Sequence, residues 1–114
     1  MQDITLLHQE AMELIDRAVL AKQNGDLQSM LQFAKAALIK ERSAADLVAE
    51  QFEMEPTRSV LHRSAATIAI ECGELREAER LIGRALAGHP PKDIADELRD
   101  LLMEEIYSQR QAIG

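Results

Sequence analysis

The residue types able to do chemistry in this chain are three histidines, one cysteine and two arginines that fall close together, and their spacing decides which reactions are open. There is no His-Glu-x-x-His motif for a catalytic zinc, and no Glu-x-x-His pair of the kind that holds two irons in a helical bundle. His8, His62 and His89 do not cluster along the chain. His8 is expected to face solvent, His62 to lie between helices as a polar packing residue, and His89, next to Pro90, to decorate a helix end. Cys72 is alone, which removes an intramolecular disulfide and a paired-thiolate metal site; it falls on an apolar stripe with Ile68 and Ala69, where a free thiol behaves as a small hydrophobe. The five glycines, Gly25, Gly73, Gly83, Gly88 and Gly114, are scattered and form no phosphate-cradling loop. No residue set offers nucleophile, base and oxyanion donor together, so neither enzyme activity nor a metal or cofactor is expected.

Arg58, His62 and Arg63 bring two fixed guanidinium charges to one segment of a chain whose formal charge is −7. Two readings of Arg63 follow. Either it faces a groove and takes a partner's carboxylate through a two-pronged hydrogen bond, or it pairs internally with Glu71, Glu53 or Glu55.

These residues must be positioned by helices. The chain has 114 residues, the size of a single domain (1–114), with 46% apolar residues to build a core. Its 17 alanines and 15 leucines, against three valines and three aromatic residues, favour helix over sheet. The acidic balance and the lack of a basic run argue against nucleic acid, which needs clustered Lys and Arg. No apolar run is long enough to span a membrane, and the opening Met1-Gln2-Asp3-Ile4 lacks the layout of a signal peptide. A cytoplasmic location is expected.

The apolar periodicity predicts five helices. Ile4, Leu7, Ala11, Leu14, Ile15, Ala18 and Ala21 lay one stripe along residues 3–23. Asn24-Gly25-Asp26 then supplies a stop and a cap. A second stripe opens at Leu27, and with no breaker before Pro56 the second helix is expected to reach Met54, interrupted only by Glu41, which marks either a bend or a change of neighbour. Thr57 is expected to cap a third helix over 58–71, and Cys72-Gly73-Glu74 repeats the earlier turn before a fourth stripe from Leu75 to Leu86. A fifth helix starts near Pro91, with Ile94, Leu98, Leu101, Leu102 and Ile106 inside and Lys92, Asp93, Asp96, Glu97, Arg99, Asp100, Glu104 and Glu105 around the rest. Residues 107–114 are expected to fray.

The two glycine turns superimpose: Gly25-Asp26-Leu27 matches Gly73-Glu74-Leu75, and Ala37-Leu38 matches Ala85-Leu86. Residues 59–92 resemble a tetratricopeptide repeat, through Ala66, Ala69, Gly73-Glu74-Leu75, Ala78, Ala85-Leu86 and Pro90. Residues 11–44 resemble one more weakly, since Met30, Arg42 and Arg17 depart from the pattern. The two starts lie 48 residues apart, which is the family's spacing of about 34 enlarged by the segment 45–58. The stretch 55–82 also resembles one found in small bacterial proteins, a likeness that carries no activity.

The resemblance implies an all-α fold of antiparallel hairpins with a C-terminal capping helix, acting as a protein or peptide interaction module. Its groove would be lined by Met12, Ile15, Val19 and Lys22 from the first hairpin and Val60, Arg63, Thr67 and Ile70 from the second. Repeats of this kind usually need about three units to close a core. A homodimer through Leu47, Val48 and Phe52 is therefore expected. The alternative is a structural, homo-oligomeric subunit of a larger assembly; a small helical enzyme or metal-binding bundle is the remote one.

Overall fold

The computed structural model describes residues 3–109. Five α-helices, α1 (Ile4–Gln23), α2 (Leu27–Val48), α3 (Thr57–Glu71), α4 (Leu75–Leu86) and α5 (Lys92–Asp100), are joined by short turns, and no strand occurs among the described residues. α5 runs on into a π-helical segment, Leu101–Tyr107. Residues 108 and 109, expected to fray, are helical, and residues 110–114 of that expectation lie outside the described residues.

Both helical hairpins turn in the same way. Gly25 has φ 77° and Gly73 φ 76°, the left-handed conformation in which a Cβ is penalised. In the first turn Asp26 N–H donates to the Ala21 carbonyl and Gly25 N–H to that of Lys22; in the second, Glu74 N–H donates to Ala69 and Gly73 N–H to Ile70. This is one helix-ending motif used twice, and it satisfies carbonyls that a helix end otherwise leaves open. The Asp26 carboxylate caps α2 by accepting from Ser29 N–H at 3.0 Å, and hydrogen bonding from the Ser29 backbone and side chain holds its pKa below the usual carboxylate range.

α1 packs on α2, α2 on α3 and α3 on α4, with α5 and its extension closing over α3 and α4. The result is a slab of 41 × 40 × 20 Å, about two helix diameters thick. Seven alanines, among them Ala11, Ala65, Ala69 and Ala78, are wholly buried in the main core, where their short side chains let helices approach closely around Leu81, Ile82, Leu98 and Ile106.

Helix α2 is shorter than its sequence predicts. It ends at Val48, and Phe52–Met54 forms a separate 3₁₀ turn. The reason is Arg58, whose Nε donates to the Ala49 carbonyl at 2.8 Å and so takes the acceptor that the next turn of α2 would use. Gln51 serves the two carbonyls before it, through its side chain to Leu47 and its N–H to Val48.

Two further expectations are corrected here. Thr57 lies inside the first turn of α3 and caps nothing; the Glu55 carboxylate accepts from Ser59 N–H at 2.8 Å and from the Ser59 hydroxyl. The far half of α2 packs inside the chain's own fold, where Ala44, Ala45 and Val48 meet Leu7 and Leu61. Val48 is fully buried there, which withdraws it as a contact with another copy, while Leu47 and Phe52 remain exposed at 39% and 43%.

Candidate functional site

A groove of about 610 Å³ lies between α1, α3 and the α5 extension. Met12 and Ile15 come from α1 at positions i and i+3, Ile68 from α3 and Leu101 from the extension, and together they give it an apolar floor. Arg63, Ser64, Thr67 and Glu71 project from α3. The opposite wall is Glu97, Asp100, Glu104 and Glu105, which with Leu101 follow the i, i+3, i+4, i+7, i+8 rule of a single helical stripe.

The groove is therefore acidic. It sets five carboxylates against one guanidinium, and that guanidinium is committed: Arg63 Nη1 donates to Glu97 Oε2 at 2.8 Å. Arg63 does pair internally, yet with a residue on the capping helix and not with Glu71, Glu53 or Glu55. Glu71, Asp100, Glu104 and Glu105 are exposed and have no basic partner within ion-pair distance among the described residues. A groove tinted positive by Arg63 and Lys22, suited to a partner's carboxylate, is not what the chain builds.

Of the eight residues expected along a groove, four line it: Met12, Ile15, Arg63 and Thr67. Val19 is exposed further along α1, and Lys22 sits in the last turn of that helix. Val60 borders a separate, smaller pocket with Ile4, Thr5, His8, Pro56 and Leu61, and Ile70 packs against the core. The carboxylate wall was visible in the sequence only as the charged remainder of the fifth helix. Its side of the groove is set by Ile94, Leu98 and Ile106, whose burial turns the acidic stripe outward.

The remaining chemistry-bearing residues are tied up in structure. His62 is fully buried and both ring nitrogens are used, Nδ1–H donating to the Arg58 carbonyl at 2.7 Å and Nε2 accepting from Arg84 Nε at 2.9 Å. Burial, chiefly, pushes its pKa down to about 4, with the Arg84 and Arg58 charges acting in the same direction. Arg84 also reaches Asp46 at 2.7 Å, which links α3, α4 and α2.

Arg58, 1% exposed, has no carboxylate partner among the described residues; it donates to the carbonyls of Ala49, Arg84 and Ala85 and lies 4.8 Å from the centre of the Phe52 ring. Those carbonyls belong to the C-terminal ends of two helices, where partial negative charge compensates the buried cation. Arg58 and His62 are thus core residues and line no groove.

His8 is not a free solvent residue either. Its Nδ1–H donates to both oxygens of Glu41, at 2.8 and 3.0 Å, and the fully buried Glu41 is the polar break in the α2 stripe. Cys72 is half-buried at the edge of the core, where burial, and secondarily Glu74 and Glu71, push its thiol up and away from thiolate reactivity. Among the described residues no three His, Cys, Asp or Glu side chains converge as metal ligands, and no helix is long and apolar enough to cross a membrane.

No protein-family model, curated protein or solved structure matches the chain.

Proposed function

We propose that this chain is a non-enzymatic protein-interaction module, a pair of tetratricopeptide-like hairpins with a C-terminal cap, that receives a segment of a partner protein in the groove between α1, α3 and the α5 extension. The observation that carries this reading is the apolar floor of Met12, Ile15, Ile68 and Leu101, contributed by three separate elements to one concave face. Helical arrays offer such faces for recognition, and the polar groups around this one are rim groups without a nucleophile and base in contact.

Thr67 is exposed in the groove and suits a blocking substitution. Purified protein and its Thr67→Trp variant, both verified as folded by circular dichroism, are used to capture partners from native lysate. A protein retained by the wild type and lost by the variant is expected; capture indifferent to the change, or none, overturns the reading.

A second reading, a structural subunit that self-associates, has its own observation. Leu47 and Phe52 are exposed near the end of α2, and Leu6, Leu20, Leu27 and Ile39 are more than half exposed on α1 and α2. Analytical ultracentrifugation decides it: a dimer that Leu47→Asp dissociates supports the subunit, and a monomer at high micromolar concentration removes it.

A further inference from the structure

We infer that the occupant of the groove is a basic amphipathic helix of a partner protein, with apolar side chains seated on Met12, Ile15, Ile68 and Leu101 and Lys or Arg side chains over Glu71, Asp100, Glu104 and Glu105. The inference rests on the groove being the docking face and specifies its ligand. Charge complementarity carries the first half. An apolar floor with four carboxylates around it, none paired with a basic residue among the described ones, attracts a cationic segment and repels anionic ones. That excludes a nucleic-acid backbone or an anionic lipid surface as occupant, and it disfavours a second copy of a chain whose own charge is −7.

The backbone of the ligand carries the second half. An extended peptide binds well where a strand edge pairs with its N–H and C=O groups, and the described residues contain no strand. Of the side-chain donors in the groove that could serve a peptide's carbonyls, two are engaged, the Thr67 hydroxyl with the Arg63 carbonyl and Arg63 with Glu97, which leaves the Ser64 hydroxyl, while the carboxylates can only accept. A helix satisfies its own backbone and needs from the groove only an apolar seat and counter-charges.

The test uses labelled synthetic peptides of about 18 residues, five helical turns, read by fluorescence anisotropy. One carries Leu at i, i+3, i+4, i+7 spacing with Lys elsewhere, a second replaces every Lys by Glu, and a third keeps the Lys/Leu composition with the spacing shuffled. The Lys/Leu helix is expected to bind, and to weaken by ~10-fold or more as NaCl rises from ~50 to ~300 mM.

Charge reversal in the groove, Glu71→Lys with Asp100→Lys and Glu104→Lys, is expected to weaken it by ~10-fold or more. The same change of net charge on exposed positions outside the groove, Glu50→Lys with Glu53→Lys and Asp93→Lys, is expected to leave affinity within ~3-fold. If the reversed protein does not fold, the neutral set Glu71→Gln, Asp100→Asn and Glu104→Gln takes its place, with a smaller loss expected. Equal binding of the acidic or shuffled peptide, equal loss in both charge variants, or no binding of the Lys/Leu helix overturns the inference. A partner captured in a Thr67-dependent way by a protein that ignores the Lys/Leu helix leaves the interaction module standing and removes the basic ligand; failure of both experiments removes both.

Discussion

Arg84 donates from Nε to Nε2 of His62 at 2.9 Å, and because the other His62 nitrogen donates to the Arg58 carbonyl, the ring is held neutral with its proton on Nδ1. Protonating Nε2 would set a second cation against Arg84 inside the protein. This ties stability to pH. The folded-state pKa of about 4 lies below the ordinary 6.5, so between those values the unfolded chain binds more protons. Stability from this group is fully present above pH 6.5 and is lost as pH falls towards 4.

The expected loss across that window is on the order of 2–3 kcal/mol, read from urea midpoints measured at successive pH values. His62→Gln should flatten the slope in the same window while leaving the acid transition of the carboxylates in place.

Arg58 holds the ends of α2 and α4 together through three backbone carbonyls. Lysine keeps the charge and loses the planar fork, so Arg58→Lys is expected to destabilise by about 2–4 kcal/mol in denaturant unfolding. A variant as stable as wild type would show that the helix ends do not need this clamp.

Gly88 is required by the same clamp. A Cβ at this position would collide with the Arg58 guanidinium and approach Phe52 at 3.2 Å, and three hydrogen bonds keep the guanidinium from moving aside. Gly88→Ala is expected to cost about 1–3 kcal/mol in wild type and clearly less in an Arg58→Met background, the coupling being read from a double-mutant cycle.

Glu41 is a fully buried carboxylate whose hydrogen-bond partner is the half-exposed His8. Truncating the partner leaves the charge without compensation, so His8→Ala is expected to lose about 1–3 kcal/mol. Replacing both residues, His8→Leu with Glu41→Leu, should recover most of that loss in the same unfolding assay, since an apolar pair there continues the α2 stripe.

Arg63 and Glu97 form a largely solvent-exposed pair, with side chains 30% and 56% exposed. Its removal is expected to change stability by less than about 1 kcal/mol. Arg63→Gln also frees Glu97 and takes the guanidinium out of the groove, so a Lys/Leu helix is expected to bind that variant ~3-fold or more tightly than wild type.

The helices and the two glycine turns were legible in the sequence because their causes are local. Apolar residues at three- and four-residue spacing, a residue that adopts positive φ at Gly25 and Gly73, and a carboxylate at Asp26 act within one or two turns of chain. Glu41 and His62 were visible as polar residues out of place, while their partners His8 and Arg84 lie 33 and 22 residues away and had no local signature.

What only the tertiary structure decided is where α2 stops and what charge the groove bears. α2 ends at Val48 because Arg58, nine residues beyond Ala49, folds back onto that carbonyl, and helix propensity along 49–54 carries no trace of that competition. The groove is acidic because burying Ile94, Leu98 and Ile106 against the hairpins rotates Glu97, Asp100, Glu104 and Glu105 to face Met12 and Ile15. A periodic stripe tells which side of a helix seeks the core, and only the packing of one helix on another tells which surface its opposite side completes.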